Sequence, residues 1–183
     1  MALLTLGLLI FAGIHLLPSA PKARSNLIKR LGEGGYQAAF ATIALTGLLL
    51  IIMGKVNAPF LPLWSPPRWG HVIALGLMPF AFILLAGAYL PSNIKRWTAH
   101  PMLWGLVIWT VTHLLANGDL ASLILFGGLG ALALVMMGSA QVRGATASGT
   151  RQPVTSDIVT IAAGLIAYAI FLAVHPFLFG AAV

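Results

Sequence analysis

The stretch Thr98–Asp119, T-A-H-P-M-L-W-G-L-V-I-W-T-V-T-H-L-L-A-N-G-D, decides how the chain is read. His100-Pro101 is a helix start, with proline at the first helical position, where its missing N–H costs nothing. An unbroken apolar run follows, without the strict alternation of a strand, and it holds one imidazole, His113. Asn117-Gly118-Asp119 closes the run as a hairpin, Gly118 ending one helix and Asp119 capping the next.

Outward from this stretch the same pattern repeats. Of 183 residues, 60% are hydrophobic and 7% charged, and the mean hydropathy is +0.99. A soluble domain carries about 25% charged residues, so this surface suits lipid rather than water. In lipid the backbone must satisfy its own polar groups, as helices or as a closed barrel, and the long apolar runs choose helices. The expected fold is all-α: a polytopic membrane helical bundle forming a single domain over 1–183.

Six transmembrane helices are expected, at about Ala2–Leu17, Tyr36–Gly54, His71–Leu90, Pro101–Ala116, Leu120–Gly138 and Asp157–Leu178. Several lie near the lower limit of roughly 17 residues. The first run flows into Pro18 and a basic loop rather than a small-residue cleavage site, which reads as a membrane helix and not a signal peptide. Ala38, Thr42 and Thr46 make a small-residue stripe suited to close helix contact. Gly76 and Pro79 predict a kink near Leu75, and Thr155, Ser156 or Asp157 caps the last helix.

The net charge of +7 does not imply nucleic acid, because the bases lie in short loops between spans. Lys22, Arg24, Lys29, Arg30, Lys95, Arg96, Arg143 and Arg151 share one side, against Lys55 and Arg68 on the other. That asymmetry places both termini outside, on the periplasmic side of a bacterial inner membrane. The loop Lys55–Gly70 interleaves four prolines with Phe60, Trp64 and Trp69, a composition for a stiff segment at the headgroup layer. Ser139–Pro153 reads as a flexible linker. With no cysteine, disulfide partners, thiolate metal sites and covalent haem attachment are excluded.

No charged side chain falls within an apolar span, which removes most support for proton relay or ion transport. Histidine remains. His15 ends the first span, His71 starts the third, His100 precedes the fourth, His113 lies within it, and His175 ends the sixth. His100 and His113 are separated by roughly 20 Å along the helix and cannot share a metal. His113 shares a stripe with Met102, Leu106, Trp109 and Asn117, Leu4, Leu8, Phe11 and His15 form a similar stripe in the first span, and Gly164, Tyr168, Phe171 and His175 form a third in the sixth. A membrane di-iron site needs about eight histidines or several carboxylates, and catalytic zinc needs three close ligands. Haem needs one or two histidines from different helices in an apolar pocket, which this chain can supply, with interhelical hydrogen bonds as the competing use.

The run H-P-M-L-W-G-L-V-I-W-T-V-T-H-L-L-A-N-G-D, the early G-I-H-L-L-P and the late A-V-H-P-F resemble the NnrU family of bacterial membrane proteins. That family is associated with denitrification and nitric oxide metabolism, and is similar to the plant zeta-carotene isomerase (Z-ISO). The resemblance implies non-covalent haem b, with His113 and His15 as iron ligands. Trp109 and Asn117 share the helix face of His113, and by level in the bilayer His71 and His175 are the reserve ligands, with His100 beside His15 a weaker alternative. It implies a redox or gas-linked role in nitrogen-oxide metabolism, or haem-dependent isomerisation of an apolar polyene, with nitric oxide or an apolar small molecule as ligand. Thr110 stands where the isomerase has cysteine, which removes a thiolate ligand. With both spans centred in the bilayer, His15 and His113 differ in level by something like 14 Å. Two alternatives are a non-enzymatic membrane partner with structural histidines and a relative of the isoprenylcysteine-type methyltransferases. The latter share the H-P-x-x-x-G start, but Met136–Gln141 here lacks their acidic pair.

Overall fold

A computed structural model describes residues 1–147 and 149–179. Ser148 in the expected linker and the last four residues lie outside them. The described residues form helices α1 (Ala2–Leu16), α2 (Pro21–Val56), α3 (Gly70–Tyr89), α4 (Pro101–Ala116), α5 (Leu120–Val142) and α6 (Val154–Phe179). Five are long and apolar enough to cross a membrane, and α4 is a shorter apolar helix of 16 residues. The chain is thus an all-helical, multi-pass membrane protein. Its helices group into two compact units: Met1–Ser65 with Asn117–Ser139, and Pro66–Ala116 with the chain from Ala140 on.

In the first unit α1 packs along α2 at backbone distance. A Cβ on Gly7 would stand 2.6 Å from the Ile51 nitrogen, one on Gly47 would stand 2.8 Å from the Phe11 nitrogen, and one on Gly54 would strike the Leu4 backbone. Leu4 and Ile51 are buried between these glycines. Such close approach is what dispersion between membrane helices requires. The stripe expected to do this work, Ala38, Thr42 and Thr46, is exposed instead, and the Thr46 hydroxyl bonds back to the Thr42 carbonyl at 2.9 Å. Small size fitted those residues for close contact, but they lie off the face that meets α1.

The basic segment after α1 is helical, not a loop. Pro21 opens the helix and Lys22, Ala23, Arg24 and Leu27 are good helix formers. Gly32, at φ 72° and ψ 165°, then leaves the helical region and redirects the chain before the apolar part of α2. In α5, Leu123–Gly127 is a π-helical turn between two α-helical parts, and the helix runs four residues past the expected Gly138.

The proline-rich loop is strapped to the hairpin. Leu63 and Trp64 donate to the Gly118 carbonyl (2.7 and 3.1 Å), Leu120 donates to the Leu61 carbonyl (2.9 Å), and Pro62 bridges Asp119. Phe60 and Trp69 remain exposed. Asp119 caps α5 through the Ser122 amide at 3.0 Å and accepts from the Ser122 hydroxyl. Lys55, from the end of α2, reaches Asp119 at 3.2 Å and the Ser122 hydroxyl at 2.7 Å. Burial alone would raise the Asp119 pKa, but the two bonds from Ser122 and the Lys55 ammonium outweigh it and hold the carboxyl below its ordinary 3.8.

In the second unit α3 is central. Gly105 of α4 approaches the Ala81 carbonyl, with a Cβ there 2.9 Å from the oxygen, and Gly70 abuts the Leu115 carbonyl. Gly164 of α6 lies against Ile83, where a Cβ would meet its Cα at 2.7 Å. Pro79 has no N–H for the Leu75 carbonyl four residues back. The Tyr168 hydroxyl of α6 donates to that carbonyl at 3.1 Å, and α3 continues through the proline as one helix.

Two further expectations are corrected in this unit. Helix α6 starts at Val154, and Asp157 does not cap it: its carboxylate accepts from the Asn93 backbone and side chain, both at 2.7 Å. The stretch before α6 is not a free linker, since Asn93 also exchanges hydrogen bonds with the Gln152 backbone, both at 3.0 Å. A lone carboxylate and a lone amide at chain positions far apart gave no sign of this pairing.

Gly54→Ala should weaken the seating of α1 on α2 by about 1–3 kcal/mol, read as a lower unfolding temperature in detergent. Gly76→Ala, whose Cβ would meet nothing within 4 Å, should leave that temperature unchanged or raise it. The Asp119 clamp has a definite pH sign: a depressed carboxyl contributes stability above its ordinary pKa and loses it as pH falls through the folded value. Acid titration of the unfolding temperature should therefore show a loss below about pH 4 that is absent in Asp119→Asn.

Candidate functional site

The chemistry available to the chain is set by three helices that end a turn with a histidine. In α1, His15 Nδ1 lies 2.8 Å from the Phe11 carbonyl and its ring stacks on Phe11, centres 4.0 Å apart. Its edge meets Phe40 of α2 at 5.3 Å. In α4, His113 Nδ1 lies 2.8 Å from the Trp109 carbonyl, with the indole and imidazole centres 4.8 Å apart. In α6, Phe171 and His175 are 6.3 Å apart, edge to face. A carbonyl one turn back, accepting from Nδ1–H, fixes the neutral tautomer that directs Nε2 away from its own helix.

His113 and His175 come together, with ring centres 6.5 Å apart and planes 43° from parallel. Both belong to the second unit, and α6 holds its level there through Tyr168 and Gly164. Phe82 of α3 continues the aromatic lining, 5.7 Å from Phe171 and 5.9 Å from Tyr168. The pair thus brings two imidazole rings from different helices to one place.

The other sequence candidates are distributed differently. His15 belongs to the first unit. Asn117 falls beyond the end of α4, in the hairpin, so it does not extend the helical stripe of Trp109 and His113. His71 is exposed at the start of α3. His100 precedes α4, its amide donating to the Thr98 hydroxyl at 3.1 Å, and it lines a cleft of about 320 Å³ with Lys95, Thr98, Met102 and Thr146. Thr110 is buried, and its hydroxyl bonds the Val107 carbonyl at 2.9 Å. Among the described residues no three His, Asp or Glu side chains gather as metal ligands.

Ser122 illustrates a set that looks reactive and is structural. Its hydroxyl accepts from Lys55 and donates to Asp119, and the residue is fully buried. With both functions engaged and no access for a substrate, it is part of the hairpin clamp. Asp119 is legible as a cap from its neighbours, whereas nothing in the sequence marks Lys55, 64 residues earlier, as its partner.

Among curated proteins and among solved structures, none matches the chain significantly. The profile described as NnrU protein matches residues 3–183, from the start of α1 through all the helices above. With six apolar helices and a family match over nearly the whole sequence, the chain belongs to the NnrU family of membrane proteins.

Proposed function

We propose that this protein binds one haem b non-covalently, that His113 and His175 would hold its iron, and that it serves redox or gas-linked chemistry of nitrogen oxides in the membrane. The observation that supports this reading is the 6.5 Å separation of two imidazoles on different helices in an apolar setting. The residues fit the group. Nδ1 of His113 is oriented by the Trp109 carbonyl, which strengthens the imidazole as a donor through Nε2. Aromatic rings at Trp109, Phe171 and Phe82 offer flat apolar surface to a macrocycle. When bound, the iron would supply one-electron transfer, and it could take a diatomic gas such as nitric oxide only where one of the two imidazoles gives up its place.

This reading takes His175 rather than His15 as the partner of His113. For His15 a structural role is supported by a specific observation: its ring is stacked on Phe11 and set edge-on against Phe40, where it braces α1 on α2. The fourth span contributes the ligand and its orienting carbonyl, and α6 contributes the second imidazole.

Protein purified in detergent from haem-replete cells should show a Soret band and, on reduction, the paired visible bands of a b-type haem. His113→Ala should abolish them, His175→Ala should shift them toward a five-coordinate spectrum, and His15→Ala should leave them in place. A well-folded but colourless preparation would sink the proposal. Bands that respond to His15→Ala and not to His175→Ala would return the second ligand to the residue implied by family resemblance.

A further inference from the structure

We propose that residues 21–31 are an interfacial helix that docks on the anionic lipid surface of the membrane the chain spans. The observation is the two-faced character of a segment that is helical up to the break at Gly32. At 100° per residue, Lys22, Lys29 and Arg30 fall within an arc of about 100°, and Leu27, Ile28 and Leu31 occupy an opposite arc of about the same width. Leu27 and Leu31 are 37% and 51% exposed, so the apolar arc is not buried by the protein.

Arg24 is the one base that falls within the apolar arc, and its charge is handled locally. Its guanidinium lies 5.5 Å over the Tyr36 ring and 4.0 Å from the Glu33 carboxylate, both beyond Gly32. What remains is a face of three cations with no carboxylate on the segment, opposite an apolar ridge. A helix of this kind lies flat in the headgroup layer, with its ridge in the acyl boundary and its bases among anionic headgroups. A second copy packed ridge to ridge would cover the apolar arc but leave both cationic faces without an anion, and a nucleic acid would leave the ridge in water. The lipid surface satisfies both faces, and it lies within reach because the chain beyond Gly32 continues into an apolar, membrane-length helix. Gly32 supplies the change of direction: its φ of 72° is a conformation that residues with a Cβ rarely adopt.

The test uses the absence of cysteine, which permits single spin labels on the full chain at Leu27→Cys, Asn26→Cys and Leu31→Cys. In nanodiscs containing phosphatidylglycerol, labels at 27 and 31 should be several-fold more accessible to oxygen than to a water-soluble nickel reagent, and the label at 26 should show the reverse. In discs of phosphatidylcholine alone, or with Lys22→Glu, Lys29→Glu and Arg30→Glu combined, the contrast should collapse. Circular dichroism and the unfolding temperature of the charge-reversed variant separate undocking from unfolding. Water-accessible labels at all three positions in both lipids would overturn the proposal. So would a contrast that ignores headgroup charge, or spin–spin broadening at 27 from a second copy.

Discussion

Helices surrounded by hydrocarbon gain nothing by hiding apolar surface from water, so the distance to which two backbones can approach decides what holds together. The chain meets that constraint with glycine. Gly7, Gly47 and Gly54 let α1 lie against α2 with main-chain atoms in contact, and Gly105 and Gly164 do the same for the two helices that flank α3. Large apolar side chains face outward in quantity, which a water-soluble protein could not tolerate and a bilayer requires. The second constraint is that every buried carbonyl needs a donor. Where Pro79 withdraws one, Tyr168 supplies another, and where the chain reverses at Asn117–Asp119, the loop from Leu61 to Trp64 completes the bonding.

These features separate scaffold from chemistry. The charged and hydroxylic groups that look most reactive, Lys55, Asp119 and Ser122, are consumed in holding a hairpin, and Asn93, Gln152 and Asp157 are consumed in tying a loop to the start of α6. Three of the five histidines, His15, His113 and His175, are set apart, each one helical turn beyond an aromatic ring on an apolar helix. An imidazole is nearly the only ligand that can be placed in such surroundings without a counter-ion, because it is neutral in the form that binds metal.

What the sequence made legible was what is encoded locally. His100-Pro101 opens α4 and Asp119 caps α5 as expected, since caps are read from a handful of neighbouring residues. The apolar runs marked the helices, though not their ends. The basic segment around Lys22 and Arg30 is helical where a loop is expected, because positive charge reports the side of a membrane and says nothing of backbone shape. The stripe of Ala38, Thr42 and Thr46 misled because small size permits close contact without specifying a partner face. The meeting of His113 with His175 depends on how far α6 is advanced along α3, a quantity that no periodicity within either helix contains.

That last quantity is set by the proline in α3. The carbonyl left open by Pro79 accepts from Tyr168 at one height only, since sliding α6 by a single turn would carry the hydroxyl about 5.4 Å past it. His175 stands seven residues further along the same helix, roughly 10 Å from the anchor. A missing backbone hydrogen in one helix thus acts as a ruler for another, and any sliding of α6 along α3 that would carry His175 past His113 must first break a hydrogen bond two turns away.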